Sequence, residues 1–353
     1  GEFAARLPNA LCGVLTLVTL FHLGRRVYDV RFGLLWVLAY AGSFLPHFYF
    51  RSGIIDPWFN YFIFVSLFFV YLFHVRKQGL EDGPALRWKP FAYLTLAGLI
   101  NGMGVLTKGQ VAWLIVALCV GVYWLVVARR RWFISPLEFA WFTVMSAVVS
   151  LIWYGFDYAV NGPWFITEFL KYQFRLFSTP DAGHAGFPGY HFVVVFFGCF
   201  PASVLGLRYL LRPRAAAEET PARADFARWM LILFWVVIIL FSIVRSKIVH
   251  YSSLTYFPLT YLAALAAYNA VQGRWRMPRW VQGVALGMGV FVSLLLIALP
   301  FVGMNVQALR PLFAADPFAQ ENLNAAVVWR GPEALVGLWL LGMTVFAFIR
   351  LRR

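Results

Sequence analysis

Long apolar runs recur along almost the whole sequence, and they constrain its fold more than any other feature. A helix needs roughly 20 apolar residues to cross a bilayer, and most of these runs approach that length. Hydrophobic residues make up 61% of the 353 positions and charged residues only 13%, so there is more apolar surface than a water-soluble core can bury. We therefore predict an all-α integral membrane protein with about eleven membrane segments. The predicted segments are 9–24, 33–50, 57–74, 91–106, 110–128, 139–156, 190–211, 229–244, 252–271, 280–303 and 333–349.

The net charge of +15 is concentrated in the short connections between these runs. When the chain is threaded back and forth through a bilayer, 21 of its 30 Lys and Arg residues fall on one side. This is the positive-inside pattern, which assigns that side to the cytoplasm. The same distribution explains the basic composition without nucleic acid, and we predict no nucleic-acid partner.

Two longer connections lie on the opposite side, at 157–189 and 304–332. The first contains an amphipathic stretch, Trp164 to Phe177, in which Arg175 lies on the polar face and can meet phosphates. We predict that this stretch forms a helix at the membrane interface. The chain as a whole, 1–353, is predicted to be a single membrane domain.

Asp56 and Lys108 are charged residues at the ends of apolar runs on this same side. Asp56 precedes Pro57, so it could simply be the N-cap residue of a helix, and Lys108 could extend to the interface without a function. An unpaired charge beside lipid is costly, however, so each residue is expected to have a partner. Asp56 would orient an ammonium group or sugar hydroxyls, and Lys108 would pair with an acid or a phosphate.

A third charged segment, FSIVRSKIVHYSSL, contains Arg245, Lys247 and Tyr251. Two cations on the less basic side run against the charge bias, and together they could neutralise a phosphate group. Lys247 and Tyr251 are four residues apart, so they share a face if the turn is helical. The alternative is a solvated turn between helices.

His184 lies in a glycine-rich stretch of the 157–189 connection. A histidine in such a loop is most often an ordinary surface residue, and no motif with metal-ligand spacing accompanies it. It nevertheless marks the candidate ligand if a divalent metal is bound.

Five segments occur in the order RLPNAL, IIDPWFNYF, NGMGVLTKG, RLFSTPDAGHAGFPGYHF and FSIVRSKIVHY. In this order they resemble the protein-mannosyltransferase and ArnT-type family of integral membrane glycosyltransferases. The resemblance covers most of 1–260. It implies a GT-C fold, a helical membrane bundle whose active site faces the periplasm of a bacterial inner membrane. The implied donor is a sugar on a polyprenyl (undecaprenyl) phosphate, and the acceptor is a lipid such as lipid A, a glycan or a protein.

The resemblance also implies roles for residues. Asp56 would contact the donor or the acceptor, Lys108, Arg175 and Lys247 would hold phosphates, and Tyr251 would be a site tyrosine. His184 matches a histidine that can ligate a metal. The family carries its main catalytic aspartate before the RLPNAL segment, so we expect that residue upstream of Gly1 in a longer protein.

Two other interpretations fit the same charged residues on the less basic side of the membrane. One is a transporter or flippase for a lipid-linked anion, although transporters usually place charged residues near the bilayer midplane. The other is an inactive, truncated homologue of the glycosyltransferases. The sequence before Gly1 discriminates between enzyme and inactive homologue.

Overall fold

The computed structural model describes residues 1–80, 87–127, 132–179, 186–212, 220–313, 317–325 and 327–352, and regular structure within these ranges is helical throughout. The described residues form two compact units, Gly1–Arg274 and Trp275–Arg353. The single domain over 1–353 therefore stays a prediction. All residues of the candidate site belong to the first unit.

The first unit contains twelve α-helices. They are α1 (Glu2–Val27), α2 (Val30–Ala41), α3 (Phe44–Tyr49), α4 (Asp56–Gln78), α5 (Pro90–Lys108), α6 (Val111–Val126), α7 (Pro136–Asn161), α8 (Trp164–Ser178), α9 (Tyr190–Gly198), α10 (Ala202–Leu211), α11 (Pro221–Ile243) and α12 (Tyr256–Val271). A 3₁₀ helix, Val249–Thr255, leads into α12.

The second unit contains α13 (Arg279–Met304), α14 (Pro317–Asn322) and α15 (Ala334–Arg352), with a 3₁₀ helix at Val306–Phe313. Helices α13 and α15 approach closely, since a Cβ atom added to Gly337 would lie 2.7 Å from the Ile297 backbone nitrogen. Small residues permit such close helix contacts in membranes. The predicted connection 304–332 thus contains two short helices.

The prediction of an all-α membrane protein is confirmed. Among the described residues, six helices are long and apolar enough to cross a bilayer: α1, α4, α5, α7, α11 and α13. The count of about eleven spans stays unconfirmed, because the other apolar helices are shorter. Two predicted spans are each divided into two helices. The chain breaks at Gly42–Ser43 within 33–50, and at Pro201 within 190–211.

Helices α4, α11 and α12 form the buried centre of the first unit. Trp36 of α2 packs edge-on against Phe226 of α11 and Tyr261 of α12, at ring separations of 6.1 and 5.3 Å. Helix α7 is the opposite case, since its apolar residues are mostly exposed. An apolar outward face is what lipid contact requires.

Helix α4 defines two ends of the bundle. At its start, Asp56 meets Lys108, the last residue of α5. Near its other end, the Tyr71 hydroxyl donates to the carbonyl of Ala222, close to the start of α11, at 3.1 Å. Helices α5 and α11 therefore run antiparallel to α4. With 23 residues α4 is about 35 Å long, enough to separate two membrane surfaces. We call these two ends of the bundle the Asp56 end and the Gln78 end.

Candidate functional site at the Asp56 end

Asp56 forms the centre of a charged cluster built from three elements. It is the first residue of α4, and Ile55 rather than Asp56 occupies the N-cap position. Its Oδ1 accepts a hydrogen bond from Lys108 Nζ at 2.5 Å, and its Oδ2 lies 3.8 Å from His250 Nε2. The N-cap interpretation of Asp56 is therefore wrong, although Asp56 does begin α4. The expectation that Asp56 and Lys108 have charged partners is confirmed.

The side chains of Asp56, Lys108 and His250 differ in how exposed they are, and this difference indicates their roles. The Asp56 side chain is 6% exposed, whereas those of Lys108 and His250 are 31% and 29% exposed. A ligand that arrives at this end meets the lysine and the histidine first. Asp56 is placed to fix the positions of these two groups, and it lies behind them rather than on the accessible surface.

Tyr251 completes the cluster on the 3₁₀ helix. The Lys108 ammonium lies 5.2 Å from the centre of its ring, within the range of a cation–π contact. The ring also packs against Phe241 of α11 at 5.4 Å. Tyr251 thereby joins the end of α5 to the end of α11, and its role as a site tyrosine stays a prediction.

A buried hydrogen-bonded network, one turn further along α4, supports the cluster, and it was not predicted from the sequence. Asn60 follows Asp56 by one helical turn and donates to Ser253 Oγ at 2.7 Å and to the Tyr49 hydroxyl at 3.1 Å. Tyr49 and Ser253 are hydrogen-bonded to each other at 2.6 Å. The network fixes the 3₁₀ helix against α4 and so holds His250 beside Asp56. The four-residue spacing of Asp56 and Asn60 was the available signal.

Lys247 is buried and binds the end of α11. Its Nζ donates to the carbonyl oxygens of Phe241 at 2.9 Å, Ser242 at 2.7 Å and Val244 at 2.5 Å. A cation at these carbonyls stabilises the negative end of the helix dipole. Burial lowers the pKa of the Lys247 ammonium. Lys247 precedes the 3₁₀ helix, so the helical turn on which Lys247 and Tyr251 would share a face is not formed.

Beside Lys247 lies a cavity of about 240 Å³ lined by Gly186, Pro188, Ser242, Ile243, Val244, Arg245 and Lys247. Arg245 is exposed at this cavity, and Gly186 permits the close approach of its loop. A Cβ atom at Gly186 would lie 2.8 Å from Lys247 Cγ. Arg245 can donate to an anion such as a phosphate in this cavity. Lys247 adds a positive charge, but its three N–H groups already donate to carbonyl oxygens, so its predicted phosphate contact stays a prediction.

Helix α8 follows the edge of the site, and its predicted existence is confirmed. Phe169 packs directly on Gly109, the residue after Lys108. After the helix ends, the carbonyl of Thr179 accepts a hydrogen bond from Ser246 at 3.0 Å. Arg175 lies between these two contacts in sequence, with its guanidinium 5.1 Å from the ring centre of Tyr172. Its predicted phosphate contact stays a prediction.

We expect Gly109→Ala to destabilise the protein. Gly109 has a φ of +101°, and an added Cβ would lie 2.6 Å from Phe169 Cζ, so alanine strains the backbone and displaces α8. The apparent Tm in detergent should fall by about 2–6 °C. Gly121→Ala is the matched control, because its Cβ would meet nothing within 4 Å and alanine favours a helix. Equal Tm values for the two variants would contradict the packing of α8 on Gly109.

An apolar groove continues from the cavity along α11. It has a volume of about 450 Å³ and is lined by Phe192, Val193, Val195, Phe196, Phe197, Ser203, Leu207, Leu210, Leu211, Phe234, Trp235, Ile238 and Leu259. Ile238 in the groove and Ser242 in the cavity are one turn apart on α11. Pro188 and Phe192 connect the two on the other wall. The cationic cavity and the apolar groove thus lie on neighbouring turns of α11.

His184 lies outside the described residues, so its predicted metal-ligand role stays a prediction. Within the described ranges, no group of three or more His, Cys, Asp or Glu side chains is arranged to hold a metal ion. The residues that the structure brings together are Asp56, Lys108, His250 and Tyr251, with Arg245 and Lys247 at the neighbouring cavity.

Comparison with known proteins gives a consistent result. Residues 1–153 match the family described as dolichyl-phosphate-mannose-protein mannosyltransferase. Undecaprenyl phosphate-alpha-4-amino-4-deoxy-L-arabinose arabinosyl transferases are similar over most of the chain. The protein from Pseudomonas aeruginosa PAO1 is 30% identical over 321 residues, covering 90% of this chain and 54% of the relative. The one from Edwardsiella ictaluri is 28% identical over 342 residues, covering 93% and 57%.

Among solved structures, ArnT from Cupriavidus metallidurans bound to undecaprenyl phosphate superposes with a TM-score of 0.69 at 20% identity. The match covers 99% of this chain and 62% of that one. The GT-C fold predicted from the sequence is therefore confirmed. The chain spans about half the length of the curated relatives that it matches.

Proposed function

We propose that this chain, an ArnT-like protein with the GT-C fold, takes part in sugar transfer from a polyprenyl-phosphate donor to an acceptor hydroxyl. The observation that carries the proposal is that the cationic cavity and the apolar groove lie next to each other along α11. A polyprenyl phosphate has the same two parts, an anionic headgroup and a long apolar tail. The relatives are named for undecaprenyl-phosphate donors, which supports this donor class.

In the proposed reaction, an oxygen of the acceptor attacks the anomeric carbon of the sugar and the lipid phosphate leaves with inversion. Charge grows on the phosphate as the bond breaks, so nearby cations stabilise the transition state. Lys108 and Arg245 are two accessible cations at this end. Asp56 acts through Lys108 and His250 by holding them in place. In the family that the sequence resembles, a general base takes the proton of the acceptor hydroxyl, and this base precedes the segment that corresponds to RLPNAL.

The orientation in the membrane is part of the proposal. The charge bias of the connections assigns the Gln78 end to the cytoplasm, and the Asp56 end then faces the periplasm of a bacterial inner membrane. Lipid, glycan and protein acceptors all fit the proposed chemistry, and lipid A is the acceptor that the resemblance favours. A divalent metal at His184 remains a further prediction.

The test uses the complete natural protein in proteoliposomes with undecaprenyl-phosphate-linked aminoarabinose and lipid A. We expect release of undecaprenyl phosphate with labelling of the acceptor, and Arg245→Gln should lower the rate about tenfold by removing one phosphate contact. Arg26→Gln is the control, because Arg26 is exposed and precedes Val27, whose carbonyl accepts a hydrogen bond from Arg223 at the Gln78 end. Movement of labelled donor between leaflets without acceptor labelling would support the transporter interpretation instead.

A further inference from the structure

A second polar cluster lies at the Gln78 end of the bundle, where the proposed reaction does not use it. His74 of α4, Tyr123 of α6 and Asp225 of α11 meet there, and each is largely buried. His74 follows Asp56 by 18 residues on one helix, so the two clusters are about 27 Å apart. They lie near opposite membrane surfaces.

The hydrogen bonds of this cluster determine where its protons are. The Tyr123 hydroxyl donates to Asp225 Oδ1, and its oxygen lies 3.1 Å from His74 Nε2. Because tyrosine has only one proton to give, Nε2 is the donor to the Tyr123 oxygen. A neutral histidine with its proton on Nε2 has a lone pair on Nδ1. His74 Nδ1 is therefore an acceptor.

Two acceptors of the cluster are left without a hydrogen-bond partner among the described residues. They are His74 Nδ1 and Asp225 Oδ2, and both atoms are buried. Asp225 Oδ2 lies 3.6 Å from His74 Nε2, beyond hydrogen-bond distance, and the buried indole N–H of Trp229, which stacks on Tyr123, also has no hydrogen-bond partner among the described residues. A buried acceptor without a donor costs about 1–3 kcal/mol, so such groups are normally satisfied by a ligand or water. A ligand that satisfies both acceptors must have several N–H or O–H donors. Because the Asp225 carboxylate is negatively charged, a cationic ligand is favoured.

Both residues line a cavity of about 460 Å³ that also contacts Gln78, Leu80, Tyr123, Pro221, Ala224 and Arg228. Arg228 marks the outer part of this cavity, since its side chain is 47% exposed. Its Nη1 lies 3.9 Å from Asp225 Oδ1. The cavity thus presents a buried anion inside and a guanidinium outside, at the level where helix ends meet lipid headgroups.

We propose that this cavity binds the headgroup of phosphatidylethanolamine. The primary ammonium of that headgroup has three N–H donors, which can satisfy Asp225 Oδ2 and His74 Nδ1 together. Its phosphate, two carbons away, then reaches Arg228 for a charge-assisted hydrogen bond. The lipid would fill the space between α4, α6 and α11 and stabilise their packing at this end.

The test is lipid retention by the purified full chain, measured by native mass spectrometry. Phosphatidylethanolamine, phosphatidylglycerol and phosphatidylcholine with identical acyl chains are supplied in equal amounts. We expect phosphatidylethanolamine to be retained about tenfold better than either competitor, since the glycerol headgroup lacks the cation and the choline headgroup lacks N–H donors. Equal retention of the three lipids would overturn the proposal.

Variants separate the ammonium from the phosphate contact. Asp225→Asn should lower phosphatidylethanolamine retention about tenfold, and Arg228→Gln should do so by several fold without disturbing the buried groups. Arg212→Gln, an exposed arginine at the end of α10, is the control. If Asp225→Asn fails to fold, Arg228→Gln tests the proposal by itself. Unchanged retention of phosphatidylethanolamine in that variant would contradict the proposal. Displacement of the lipid by an equal concentration of free phosphoethanolamine would also contradict it, by indicating a soluble ligand.

Discussion

Asp56→Asn is expected to lower sugar transfer by at least about 10²-fold, because it removes the charge that holds Lys108 and His250 in position. Asparagine has nearly the same shape, so the change tests the charge rather than the volume. The substitution leaves Lys108 without its anionic partner at 2.5 Å, and it should also lower the free energy of unfolding by about 1–3 kcal/mol. Transfer assays at saturating donor, together with thermal unfolding, separate the two effects.

Glu168→Gln is the matched control for Asp56→Asn. Glu168 also pairs with a lysine, Lys171 at 2.7 Å, but both side chains are more than half exposed. Exposed pairs of this kind contribute little, at most about 1 kcal/mol. Transfer should therefore change by less than about twofold in this variant. If Asp56→Asn loses no more sugar-transfer activity than Glu168→Gln, Asp56 does not hold Lys108 and His250 in a position that the reaction needs.

Lys108→Met is expected to weaken the binding of undecaprenyl phosphate by about 10- to 100-fold, since a charge-assisted contact to the phosphate is lost. Methionine retains the apolar part of the side chain, so the packing on Tyr251 is largely kept. The measurement is equilibrium retention of the lipid by the purified protein. Binding equal to that of the unaltered protein would exclude Lys108 as a phosphate ligand.

The double variant Asp56→Asn with Lys108→Met tests whether the two residues act together. If Asp56 acts only through Lys108 and His250, the losses should not add, and the double variant should resemble the more damaged single one. Strictly additive losses would mean that Asp56 makes its own contact with substrate, which is the role that the family resemblance implies for it.

The sequence predicts the membrane fold well because a long apolar run has few alternatives in lipid. It predicts the limits of individual spans less well. Segment 190–211 is apolar throughout, yet it forms two helices that separate at Pro201. Hydropathy measures composition, whereas a break depends on local backbone geometry and on what packs against it.

The site could be predicted in part, since charges beside apolar runs are costly and must have partners. The identity of the partners could not be predicted, because Asp56 and Lys108 are 52 residues apart and meet only through the packing of α4 on α5. The contacts of Lys247 could not be predicted from the sequence either. Its position in sequence suggests a free cation, but α11 ends at Ile243, and this places three helix carbonyls within its reach.

The central claim is that a lipid-borne phosphate docks at the Asp56 end, with its tail in the groove along α11. A photoreactive undecaprenyl phosphate with a diazirine on the isoprene unit next to the phosphate tests it most directly. We predict that, after irradiation, mass spectrometry will find the label at 186–192 and 238–247. Label concentrated around Gln78 and Asp225, at the opposite end of the bundle, would contradict the account.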